Sequence, residues 1–73
     1  MKENQIGNWK VVVVHKGYAF FENQISGCEG GIWLEGKIVV DYDGVFELPK
    51  KVVQALQGLG YSFEHNVLPE DNK

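Results

Sequence analysis

The sequence predicts an α+β domain: a small antiparallel β-sheet, a meander of about four to five strands, with one α-helix packed on one face. Two observations carry this. Apolar residues alternate in short valine- and aromatic-rich runs over residues 9–41, then recur every three to four residues over 49–59. Turn and cap residues stand at the ends of these segments, where a change of direction is needed. With 73 residues, the chain is read as a single domain, 1–73.

Trp9–His15, WKVVVVH, is the first expected strand. Valine branches at Cβ and favours extended backbone. Strict alternation sets Trp9, Val11, Val13 and His15 on one face and Lys10, Val12, Val14 and Lys16 on the other. Both faces are apolar, so the strand needs cover on both sides. Lys16-Gly17 connects it to Tyr18–Glu22, YAFFE. Asn23–Gly31 contains three of the nine glycines and has no period, so it reads as a loop, with a bulge or short strand around Ile25. Ile32–Leu34, Glu35-Gly36 and Lys37–Asp41 read as a tight hairpin. Asp43-Gly44 suits a turn, and a short strand follows it. Pro49–Gly58 is the expected helix. Proline is tolerated in a first helical turn, Val52, Val53, Leu56 and Leu59 form one stripe, and Gly58 and Gly60 supply the stop. Tyr61–Glu64 returns as an edge strand. The polar ends, 1–7 and 66–73, are expected to be flexible.

Composition limits the function. The hydrophobic fraction is 44% and nine residues are aromatic, including Phe46. A chain of this length buries only about 60% of its unfolded surface. The surplus apolar material points to a contact surface or to self-association. A homodimer is expected, because one short helix cannot cover both Val11/Val13 and Val12/Val14. The alternative is a sheet curled tightly enough to bury both pairs in one chain.

The net charge is −3, unevenly spread: +2 over residues 1–21, −5 over 22–47 and 0 over 48–73. Arginine, the main residue for bidentate phosphate and guanine contacts, is absent. No nucleic-acid partner is expected, and an acidic surface better suits a basic protein face. No apolar run reaches the roughly eighteen residues of a membrane span, so no membrane association is expected. The first residues do not read as a secretory signal, and one cysteine, Cys28, excludes an internal disulfide framework. These features fit a cytoplasmic location.

No motif specifies a reaction, and no enzyme is expected. Cys28 reads as a small buried hydrophobe rather than a nucleophile. Asp41 and Asp43 share a face of an extended segment, but Asp41-Tyr42-Asp43-Gly44 lacks the glycine and glutamate spacing of a calcium loop. His15 and His65 form no ligand spacing with Cys28, so neither a metal nor a cofactor is implied. The favoured expectation is a non-catalytic protein-binding domain with an acidic-aromatic surface built from Glu29, Trp33, Glu35, Tyr42 and Asp43. Tryptophan and tyrosine anchor interfaces by burying area while keeping a polar handle. One version is inhibition of a basic partner, such as a nucleic-acid enzyme, with carboxylates standing in for phosphate. The alternative is a small-molecule binder or small enzyme with a pocket around Cys28, His15, Asp41 and Asp43.

Overall fold

A computed structural model describes residues 2–44 and 47–68. The chain runs through β1 (Lys2–Ile6), β2 (Trp9–His15), β3 (Tyr18–Asn23), β4 (Glu29–Glu35), β5 (Ile38–Asp43), α1 (Lys50–Gly58) and β6 (Ser62–Phe63). The six strands form one half-barrel sheet in chain order. The fold is α+β as expected, with two differences. The described residues form six strands rather than four to five, and the sheet is mixed. β1 to β5 are antiparallel neighbours, whereas β6 lies parallel to β5. The parallel pair follows from the helix between them, since a crossover returns the chain in the same direction.

β1 replaces the flexible end expected over residues 1–7. Ile6 pairs with Trp9 across the two-residue turn Gly7-Asn8, and Gly7 takes φ 61°, the left-handed region such a turn requires. Asn4 ties this strand to the helix: its Nδ2 donates to the Ala55 carbonyl at 3.1 Å. At the other end, Val67 is buried, and residues 69–73 lie outside the described residues.

The inner face of the sheet holds the core. Val11, Val13, Ala19, Phe21, Ile32, Leu34 and Val39 share one buried cluster with Val52, Val53, Ala55 and Leu56 of α1. Trp9 extends it through a tilted ring contact with Phe21, centroids 5.8 Å apart. Ala55 therefore joins the helical stripe, while Leu59 is half-buried as the C-cap. Pro49 is the N-cap rather than the first helical residue. Its ψ of 142° is extended, and its carbonyl accepts from the amides of Val52 and Val53. The stop is a Schellman arrangement: Gly60 N–H donates to the Gln57 carbonyl and Tyr61 N–H to that of Leu56, with Gly60 at φ 94°. Among the described residues no side chain caps the N-terminus, and the first turn carries Lys50 and Lys51 instead of acids. Such a helix depends on its buried stripe.

Two bulges break the strand alternation. Between Val13 and His15 the register shifts, leaving Val14 without a partner on β3. His15 then stands opposite Tyr18 and leaves the face of Val11 and Val13, contrary to strict alternation. A second shift between Trp33 and Leu34 sets Trp33 opposite Asp41 and Leu34 opposite Val39. The glycine-rich segment is only partly a loop. β4 begins at Glu29, so Gly30 and Gly31 are strand residues. The loop, 24–28, is held by Asn23, whose Oδ1 accepts from the amides of Ile25 and Ser26. Ile25 is exposed and lies in no strand. The short strand expected after Gly44 falls partly on Val45 and Phe46, outside the described residues. Leu48 beyond it is buried but is not part of a strand.

Candidate functional site

The outer face of β2–β5 carries an aromatic row. Register opposes Val12 to Phe20, Phe20 to Gly31 and Tyr18 to Trp33. Tyr18 and Trp33 meet edge to face, with centroids 5.7 Å apart and ring planes at 75°. His15 prolongs the row, its ring 6.1 Å from that of Tyr18. Gly31 makes room for the pair. A Cβ there would lie 3.1 Å from Tyr18 Cε1 and 3.2 Å from Trp33 Cη2, so the rings rest over bare backbone. Trp33 remains 42% exposed despite this contact, so much of its ring is free for a partner.

Carboxylates border the row. Asp41 stands opposite Trp33 and Asp43 opposite Gly31, both exposed, and Glu29 faces Glu22 at the start of β4. Each aspartate is steadied locally: Asp41 Oδ1 accepts from the Tyr42 amide and Asp43 Oδ1 from the Gly44 amide, both at 2.8 Å. A shallow groove of about 280 Å³ runs between Tyr18, Phe20, Glu29, Gly30 and Gly31.

Of the five surface residues expected from the sequence, Glu29, Trp33 and Asp43 fall on this outer patch. Glu35 is exposed but lies beyond the bulge, opposite Ile38. Tyr42 is a correction. It stands opposite Ile32 and packs half-buried against the core, on the inner face. Adjacent strand residues point to opposite sides, so Tyr42 and Asp43 cannot share a surface. Tyr18 and Phe20 were not among the five residues named. Their signal was present in YAFFE, where the outer positions alternate with buried Ala19 and Phe21.

The alternative pocket is not assembled. Cys28 is exposed rather than buried, and its carbonyl accepts from the Asn23 amide at one end of β3. His15 sits opposite Tyr18 at the other end. Five strand steps separate these positions, about 17 Å. The His15 Nδ1 is also engaged, accepting from the Gly17 amide at 3.0 Å. Among the described residues, no group of three or more His, Cys, Asp or Glu side chains is placed to hold a metal ion.

A second concavity opens at the end of the half-barrel. It measures about 460 Å³ and is bounded by Lys2, Val13, Val14, His15, Lys16, Gly36, Lys37 and Tyr61. Here the β2–β3 and β4–β5 turns approach the start of β1. Lys37 Nζ lies 4.8 Å from the centroid of the Tyr61 ring. The Lys2 amino group competes with that of Lys37 through hydrogen bonding and charge repulsion, and holds Lys37 below its ordinary value of 10.5.

Comparison with known protein families, curated proteins and solved structures gave no match to this chain. No described helix is long and apolar enough to cross a membrane.

Proposed function

We propose that this chain is a non-catalytic protein-binding domain that presents the outer face of β3–β5 to a basic partner. The observation that carries the reading is the Tyr18–Trp33 pair laid over Gly31 and bordered by Glu29, Asp41 and Asp43. An aromatic centre with a charged rim is the anatomy of a protein contact. In this reading the helix covers the inner face and leaves the outer one for the partner. Carboxylates two residues apart on one strand also suit a partner whose basic groups ordinarily meet phosphate.

A second copy of the chain fits this face less well. The expected homodimer was motivated by a lack of cover for Val12 and Val14. Val12 is only 9% exposed within one chain, and Val14 borders the end opening. An isologous contact through the outer face would bring like carboxylates together, which is unfavourable.

The experiment is capture from the native host on immobilised domain, followed by measured affinity of the isolated partner for the parent, Trp33→Ala and Asp41→Asn/Asp43→Asn. Trp33→Ala is expected to weaken binding by roughly tenfold or more, as for a central aromatic anchor. The double asparagine variant is expected to slow association and flatten its salt dependence. Sedimentation of the same samples is expected to give the mass of the 8.2 kDa monomer. A partner that binds all three forms equally well sinks the reading.

A further inference from the structure

The opening at the end of the half-barrel has a chemistry opposite to that of the outer face. Its wall is apolar, with Val13, Val14 and the Tyr61 ring, and three lysines, Lys2, Lys16 and Lys37, stand around it. No carboxylate is among the described residues that line it, and none of the three lysines forms an ion pair with a described carboxylate. In a chain with net charge −3, three of seven lysines meet at one apolar hollow. Lys2 and Lys37 come from separate parts of the sheet, β1 and the β4–β5 turn, yet both border this opening and lie near enough to repel each other. An anion placed between them would relieve that repulsion.

We propose that this opening binds a small amphiphile: an anionic carboxylate or phosphate head held by Lys2 and Lys37, with an apolar body against Val13, Val14 and Tyr61. The volume of about 460 Å³ falls in the range of small-molecule sites. The bulge at Val14 contributes to the wall. Val14 has no partner on β3 and is 41% exposed, so its side chain is available to the apolar body. Lysine suits the head group, because a flexible stem lets a point charge follow a phosphate or carboxylate of either shape. Lys16 adds a third positive charge at the rim. His15 borders both this opening and the outer aromatic row, but the proposal does not depend on the function proposed for that row.

The test is a titration of the full chain, followed by amide chemical shifts, with octyl phosphate, octanoate, the neutral detergent octyl glucoside and inorganic phosphate. Octyl phosphate and octanoate are expected to shift the amides of Val13, Val14, Gly36 and Lys37. They are expected to bind at least about tenfold more tightly than either octyl glucoside or inorganic phosphate. The Lys2→Gln/Lys37→Gln variant, whose changes lie on exposed side chains, is expected to lose at least about tenfold in octyl phosphate affinity while keeping the parent fold by circular dichroism. A further arm uses vesicles of phosphatidylglycerol. Equal binding of octyl phosphate and octyl glucoside overturns the proposal, as does unchanged affinity in the double variant. Shifts centred on Tyr18 and Trp33 overturn it too, and so does binding to vesicles without binding of the free amphiphiles.

Discussion

Gly30 and Gly31 are neighbours on one strand, and each clears space for aromatic rings on its own side of the sheet. On the inner side, a Cβ at Gly30 would collide with the Asp43 carbonyl oxygen and come within 2.8 Å of Phe21 Cζ. On the outer side, the three atoms nearest to a Cβ at Gly31 would all be side-chain atoms of Tyr18 and Trp33, at 3.1–3.2 Å. Phe21 is fully buried, whereas Trp33 is not. The same residue type therefore serves packing on one face and a presented surface on the other. Obstruction by backbone on one side and by side-chain atoms on the other is what separates them.

The two faces are expected to contribute unequally to stability. Leu56→Ala empties a fully buried site on the inner side and is expected to cost roughly 2–4 kcal/mol, whereas Trp33→Ala, on the outer side, should cost well under half of that. Urea denaturation of the two variants measures both. Equal losses would mean that the outer row is part of the core.

The two glycines are expected to differ in the same sense. Gly30→Ala is expected to destabilise by about 1–3 kcal/mol, because the Asp43 backbone must move. Gly31→Ala is expected to stay within about 1 kcal/mol of the parent, since ring-edge atoms of Tyr18 and Trp33 rather than backbone must yield by a few tenths of an ångström, and alanine restricts the unfolded chain. Thermal melts rank the pair, and a reversed order would show that the outer rings are the more rigidly held.

The smallest effect belongs to the lysine-rimmed end. Lys37 titrates below 10.5 in the folded chain because Lys2 disfavours its charged form. Between that lowered value and 10.5 the unfolded chain holds more protons, so stability rises with pH across the window. The penalty is fully present at neutral pH. Lys2→Gln is expected to be slightly more stable than the parent there, with the gap closing above 10.5. Both side chains are exposed, so the shift in denaturation midpoint is small, and salt should shrink it further. Denaturation of both chains at neutral and high pH reads it, and a gap that widens with pH would contradict the cause given for Lys37.

Much of the fold was legible because its signals are local. The valine run of β2, the Gly36 turn and the stripe of α1 are each visible within a few residues. β1 escaped because Lys2, Glu3, Asn4 and Gln5 offer no apolar alternation, although the Gly7-Asn8 turn before Trp9 announced a hairpin. The parallel pairing of β6 depends on how far the helix carries the chain, which no local pattern records. The site was half legible for a related reason. Residue type singled out Glu29, Trp33 and Asp43, which are exposed on the outer face, but not their neighbours there. Tyr18 reaches Trp33 through cross-strand register, and Tyr42 turns inward by the parity that places Asp43 outward. Bulges at Val14 and beyond Trp33 then reset the parity in ways that composition does not show.

The polar composition that hid β1 has another effect. An open sheet ends in two rows of unpaired backbone groups, and each row can template the addition of a further chain. Here one margin is written Lys2-Glu3-Asn4-Gln5, with Lys2 on the inner side, where a docking strand would need apolar contacts. The other margin, β6, is only two residues long. An incoming strand would meet charge along the first and run out of partners on the second. The molecule can thus keep an incomplete barrel, with its hollow open, without inviting fibre growth from either side.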